Sequence, residues 1–177
     1  MKHVALLRGI NVGGKNLLPM KELIAMVGDA GGTDVVTYIQ SGNVVFRASA
    51  ATAKKVPAAL ERAITKRFGH RVPVVMRTAA ELMAVVRNNP FLTAGAAPDT
   101  LHVAFLADMP VAANVAALDP RRSPPDAFEV RGRDIYLHLP AGVAKTKLSN
   151  AYFDARLATT STVRNWRTVL KLVELAG

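Results

Sequence analysis

A short hairpin with an amphipathic helix on either side constrains this chain more than any other feature. Val35–Gln40 and Val44–Arg47 are runs of β-branched and aromatic residues around Ser41-Gly42-Asn43, the pattern of two antiparallel strands joined by a tight turn. Ahead of it, Met20, Leu23, Ile24 and Val27 recur at helical spacing, Pro19 suits a first helical position and Gly31-Gly32 ends the run. Behind it, Val56, Leu60, Ala63, Ile64 and Phe68 mark a second helix. With His3–Arg8 and Val72–Met76 as outer strands the order is β-α-β-β-α-β, the split βαβ or ferredoxin-like arrangement.

The second half is a looser copy. Thr78-Ala79-Ala80-Glu81 is a capping box opening a helix that stops at Asn89-Pro90. Leu101–Leu106 reads as a strand, Pro110–Leu118 as a helix capped by Asp108, and Ala127–Val130 with Ile135–Leu139 as a hairpin turning at Arg131-Gly132-Arg133. Ser149 caps a helix carrying Phe153 and Leu157. Thr160, Ser161 and Thr162 are taken as caps of a last helix with Val163, Trp166, Leu170 and Val173 on one face. The expectation is an α+β chain: a ferredoxin-like subdomain over 1–77 and a related βαββα unit with an added C-terminal helix over 78–177. No strong residue-by-residue repeat links the halves. The capped connection at Met76–Glu81 is too short for a flexible tether, so the halves are expected to pack closely.

Half of the 177 residues are hydrophobic and none is cysteine, which supports a real core and excludes disulfides, thiolate metal sites and cysteine nucleophiles. The start lacks a signal-peptide core and no apolar run approaches the roughly 20 residues that span a bilayer. The expectation is a soluble cytoplasmic protein without a membrane partner. The net charge of +10 is uneven. Residues 1–77 hold 12 basic and 4 acidic side chains, residues 78–140 hold 5 and 7, and residues 141–171 hold six cations against Asp154. Such a field attracts phosphates, nucleic acid or acidic partners, or serves solubility alone.

The loop after the first strand carries the sharpest motif. Gly9-x-x-x-x-Gly14-Lys15-Asn16 matches a phosphate-binding P-loop until its last position, where asparagine replaces the hydroxyl that holds magnesium. Pro19 also delays the helix, so a nucleotide-hydrolysing motor is not expected. Glycine-loop N–H groups beside Lys15 and Arg8 can still cradle an anion; the plainer role for Gly13 and Gly14 is a tight turn. In Arg164-Asn165-Trp166 a cation sits at an expected helix start, an electropositive end that calls for a carboxylate or a bound anion. His3, His70, His102 and His138 show no metal spacing, so no metal site is expected. No catalytic constellation emerges, and the hairpin lacks the interleaved aromatics of an RNA-recognition module.

Leu6 to Asn16, Thr37 to Val44 and Arg164-Asn165-Trp166 resemble, over essentially the whole chain, the bacterial family catalogued as domain of unknown function 1697. The resemblance implies two α+β subdomains and supplies neither catalytic residues nor a cofactor, because the family's role is not established. Thr146-Lys147-Leu148 stands where the family tends to show Ser-Lys-Leu, and Arg167 where asparagine is frequent. The candidate ligand-binding residues are therefore Arg8, Asn11, Gly13, Gly14, Lys15, Asn16, Gln40, Ser41, Asn43, Lys147, Arg164, Asn165 and Trp166. The expected ligand is an anionic, phosphate-bearing small molecule, with Arg8, Asn11 or Lys15 approaching Arg164 and Asn165 around it. Non-specific nucleic-acid binding and a ligand-free protein-interaction module are the alternatives.

Overall fold

The computed structural model describes residues 1–177 and divides them into two compact units, Met1–Met83 with Leu172–Gly177, and Ala84–Lys171. The first unit runs β1 (Lys2–Leu7), α1 (Met20–Asp29), β2 (Thr33–Tyr38), β3 (Asn43–Arg47), α2 (Ala50–Phe68) and β4 (Val74–Thr78), followed by the start of α3 (Ala79–Arg87). Its sheet is antiparallel in the order β2-β3-β1-β4, consistent with a ferredoxin-like unit. Ala5 and Leu7 of β1 pack with Leu23 and Val27 of α1 and Val56, Leu60 and Ile64 of α2. Val4 and Leu6, on the opposite face of the strand, are equally buried. Burial on both faces is why β1 reads as a continuous apolar run without clean alternation. Truncating a core residue such as Leu60 to alanine costs about 2–5 kcal/mol.

Local chemistry fixes the element ends. Ser49 Oγ accepts the Thr52 N–H at 3.1 Å to start α2, and Gly69, at φ 72°, closes it with its N–H on Thr65 O at 2.9 Å. The expected capping box is present: Thr78 N–H donates to Glu81 Oε2 at 2.7 Å and Glu81 N–H returns to Thr78 Oγ1 at 3.2 Å. Pro19 is extended at ψ 137° and precedes α1 instead of beginning it. The Lys2 ammonium donates to Leu175 O at 3.1 Å and Gly177 O at 2.6 Å, joining the two chain segments of this unit.

The second unit continues with α4 (Pro90–Thr93), β5 (Leu101–Leu106), α5 (Ala112–Ala116), β6 (Ala127–Arg131), β7 (Asp134–His138), α6 (Asn150–Leu157), β8 (Ser161–Asn165) and most of α7 (Trp166–Ala176). Its antiparallel sheet, β6-β7-β5-β8, repeats the first order. Ala104, Leu106, Ile135, Leu137, Tyr152, Phe153 and Leu157 form its core. Tyr136 Oη donates to Val85 O at 3.1 Å, and burial first, then Asp134, pushes its phenol up to about 12.

Three expectations need correcting here. Ser161 to Asn165, including Val163 and Arg164, form a fourth strand paired to β5, and so the unit is βαββαβ before its added helix. The hydroxyls at 160–162 resemble caps, but the pairing with an apolar strand prevails over local preference. Asn165 is the actual cap, its Oδ1 accepting the Thr168 N–H at 2.8 Å. Asp108 caps nothing: α5 begins only at Ala112, and the Asp108 carboxylate accepts the Thr159 hydroxyl at 3.1 Å.

The two registers also expose a match absent from the sequence reading. Val4 pairs with Arg77 and His3 with Thr78 in one sheet; Val103 pairs with Arg164 and His102 with Asn165 in the other. His3-Val4-Ala5-Leu6-Leu7 and His102-Val103-Ala104-Phe105-Leu106 are thus the same strand used twice. Each buried arginine is followed by a residue that ends its strand and caps the next helix.

Candidate functional site

Residues 8–19 make a long excursion between β1 and α1, shaped by left-handed backbone at Gly9, Asn11, Gly13, Gly14 and Asn16. Val12 and Lys15 form an isolated antiparallel bridge, with the Lys15 N–H on Val12 O at 3.0 Å. Gly13 and Gly14, at φ 56° and 74°, are its two central residues, the positive-φ pair of a type I′ turn. Nothing lies within 4 Å of where a Cβ would project from either glycine, so their absent side chains serve backbone conformation and leave the turn open to solvent.

Asparagine side chains hold this loop. Asn11 Nδ2 donates to Leu18 O at 2.9 Å and to Gln40 O at 2.7 Å, while its Oδ1 accepts the Leu18 N–H at 2.8 Å. Asn16 Nδ2 donates to Gly9 O at 2.9 Å. The glycine loop and the Ile39–Gly42 turn are therefore clasped together, though connectivity alone does not require it. The buried Asn43 amide donates to Tyr38 O at 3.2 Å and Ser41 Oγ at 3.0 Å, fixing that turn. Gly42 presses against β1: its carbonyl accepts the Leu7 N–H at 2.8 Å, and a Cβ there would sit 2.6 Å from Leu7 Cβ.

The structure thus assembles nine of the thirteen sequence-derived residues, Arg8, Asn11, Gly13, Gly14, Lys15, Asn16, Gln40, Ser41 and Asn43, into one rim of the first unit. Asn11, Asn16 and Asn43 are its framework. Lys15 and Gln40 are exposed, and Arg8 follows β1 with its backbone N–H on Pro73 O at 3.0 Å. Sequence reasoning missed the apolar members: Val12, Leu17 and Ile39 are 64%, 60% and 53% exposed. Ile39 also has φ 49°, an outlier for a β-branched residue that costs about 1–2 kcal/mol. The pattern Ile39-Gln40-Ser41-Gly42 suggested only a turn, and nothing in it marks the strained position.

Lys147, Arg164, Asn165 and Trp166 belong to the second unit. The Lys147 backbone is anchored, N–H to Ser123 Oγ at 2.9 Å and carbonyl to Arg122 Nε at 3.0 Å, and its side chain is exposed. Thr146, Ser149 and Asn150 beside it line a pocket of about 210 Å³ with Leu137 and Leu148. Arg164 is buried, donating to Thr162 Oγ1 at 2.7 Å and Val163 O at 2.9 Å, and desolvation lowers its pKa to about 10. Trp166 is core. His102 is held below its ordinary 6.5 by burial, opposed by a hydrogen bond with the Thr100 backbone. No group of three His, Asp or Glu side chains is placed to hold a metal ion, and no helix is long and apolar enough to cross a membrane.

Residues 1–136 match the family described as Protein of unknown function (DUF1697). The chain belongs to that family. All nine rim residues lie inside the DUF1697 match, whereas Lys147 and Arg164 to Trp166 lie beyond it. Among solved structures, a conserved bacterial protein from Streptococcus pneumoniae shares the fold, with a TM-score of 0.71 at 23% identity over 99% of this chain and 98% of that one. No curated protein matches. Membership in DUF1697 therefore comes with a fold and without an assigned function.

Proposed function

We propose that the loop rim of the first unit binds a small anionic ligand, with a phosphate-bearing molecule as the leading class. One observation carries the reading: this connection is far longer than the topology requires, although its Ile10 and Leu18 are buried in the core. The second unit makes the same strand-to-helix connection with residues 107–111, the first with residues 8–19, and the added chain is fixed by the three hydrogen bonds of Asn11. A connection longer than the topology requires, anchored at its base and held by side-chain hydrogen bonds, is a common form of binding loop. The charge favours an anion, since residues 8–19 carry Arg8 and Lys15 and no acidic side chain.

A thermal-shift panel of inorganic phosphate, nucleotides and sugar phosphates tests this. A ligand at 100 times its Kd stabilises by about 2.7 kcal/mol, and Lys15→Gln should abolish that shift while leaving the ligand-free melting temperature in place. Stabilisation that survives Lys15→Gln would move the site elsewhere. A second reading rests on exposed Val12, Leu17 and Ile39 around Lys15, a combination suited to an acidic protein segment with apolar side chains. A silent ligand panel together with pull-down by acidic peptides favours it.

A further inference from the structure

Four acidic side chains of the first unit are already engaged, one of them, Glu61, beside its most basic face. Glu22 pairs with Arg67 at 2.7 Å and Asp34 with Arg47 at 3.1 Å. Glu81 belongs to the capping box, and Glu61 Oε1 accepts the Val74 N–H at 3.1 Å. No ion pair reaches Lys54, Lys55, Arg62, Lys66 or Arg71, all of which are exposed. At about 100° per residue the four helical cations fall within one sector of about 120° on α2, and Lys54 to Lys66 extends about 18 Å along it. Arg62, Lys66 and Arg71 then line an open groove of about 460 Å³ with Glu61, Thr65 and Val72.

We propose that this face of α2, continued by Arg71, is a sequence-independent binding surface for the phosphodiester backbone of a nucleic acid. The occupant follows from the shape of the charge. A single phosphate needs a cup of converging donors, whereas these cations form a row whose length matches about five phosphates at 3.4 Å per nucleotide. The groove contains no aromatic side chain on which a base could stack, so the contacts are to the backbone and carry no sequence information. The strip shares no residue with the loop rim, although its Arg71 end adjoins it through the His70–Leu17 and Arg8–Pro73 contacts, and neither proposal needs the other.

Fluorescence anisotropy of the full chain with a labelled 20-nucleotide DNA, single-stranded and duplex, between 50 and 200 mM salt reads the proposal directly. The expected Kd is about 10⁻⁴–10⁻⁶ M, with a slope of log K against log salt near about −4.5 on duplex and about −3.5 on single strands if all five cations engage. Arg62→Gln/Lys66→Gln/Arg71→Gln should flatten the duplex slope by about 2–3. Arg87→Gln/Arg121→Gln/Lys145→Gln, an equal charge loss in the second unit, should leave the slope nearly unchanged. Circular dichroism and melting temperature confirm that both variants fold. Absence of binding at 50 mM salt, equal losses in the two variants, or an unaltered slope in the α2 variant would each overturn the assignment.

Discussion

The two halves begin with almost the same strand, His3-Val4-Ala5-Leu6-Leu7 and His102-Val103-Ala104-Phe105-Leu106, and part company where it ends. In the first, residues 8–19 lead to α1, residues 39–42 turn the hairpin and α2 runs from Ala50 to Phe68; in the second, the corresponding pieces are residues 107–111, residues 132–133 and Asn150–Leu157. The sheets keep one strand order and one position for a buried arginine. What varies is therefore what the sheet carries. Neither unit is minimal: the second places its extra chain in residues 117–126 and 139–149 where the first uses 30–32 and 48–49, and the first places it in residues 8–19 and a longer α2.

The matched hairpin glycines test that contrast most severely. Gly42 sits at φ 86° with a virtual Cβ 2.6 Å from Leu7 Cβ, whereas Gly132, at φ 59°, meets only Met109 Cε at 3.9 Å. Gly42→Ala combines the left-handed penalty with overpacking and should cost about 2–5 kcal/mol. Gly132→Ala meets the backbone penalty alone, about 1–2 kcal/mol. Similar losses in chemical denaturation would mean that the first hairpin is no more tightly docked than the second.

The next contrast sets the two post-strand loops against each other. Asn11→Ala removes three side-chain hydrogen bonds and should cost about 2–3 kcal/mol, at about 1 kcal/mol for each bond. Amide exchange should rise in residues 9–18 and in the 39–42 turn together, because one side chain ties them. Asp108→Ala loses only the exposed bond its carboxylate accepts from the Thr159 hydroxyl, keeps the backbone N–H bond to Thr159 Oγ1, and should cost less than about 1 kcal/mol. Exchange that rises in the glycine loop alone would show that the clasp does not couple the two segments.

The smallest effect concerns the repeated histidine. Burial lowers the His102 pKa below 6.5, so on acidification the unfolded chain takes the proton first. Stability is therefore retained above about pH 6.5 and falls as pH drops from there toward the folded-state pKa. His102→Gln should have a shallower loss of melting temperature between pH 7 and 5 than the parent chain. Parallel profiles would remove His102 as the titrating group.

Most of this scaffold is legible in the residues because its signals are local: the 3.6-residue period of α1 and α2, Ser149 as a cap, the Thr78–Glu81 box and the β5 run. Strand β8 is not, because hydroxyls at 160–162 favour caps and its partner is 60 residues away in sequence. The internal match was in view in the two HVA runs, but loops of unequal length shift everything after them, and only strand register aligns Arg77 with Arg164. At the rim, asparagine and glycine types announced the loop. The clasp from Asn11 to Gln40, the left-handed Ile39 and the unpaired row on α2 depend on distances that no local pattern encodes.

Lys2 bonds to carbonyls 173 and 175 positions further along the chain, and this has a consequence for folding during synthesis. At roughly 5–20 residues per second, a ribosome takes on the order of 10–35 s to supply those acceptors after Lys2 has been made. Until then the first sheet can form only without its Leu172–Gly177 segment. A released chain truncated after Lys171 should therefore show a protease-resistant second unit beside a first unit that is open to cleavage near β1.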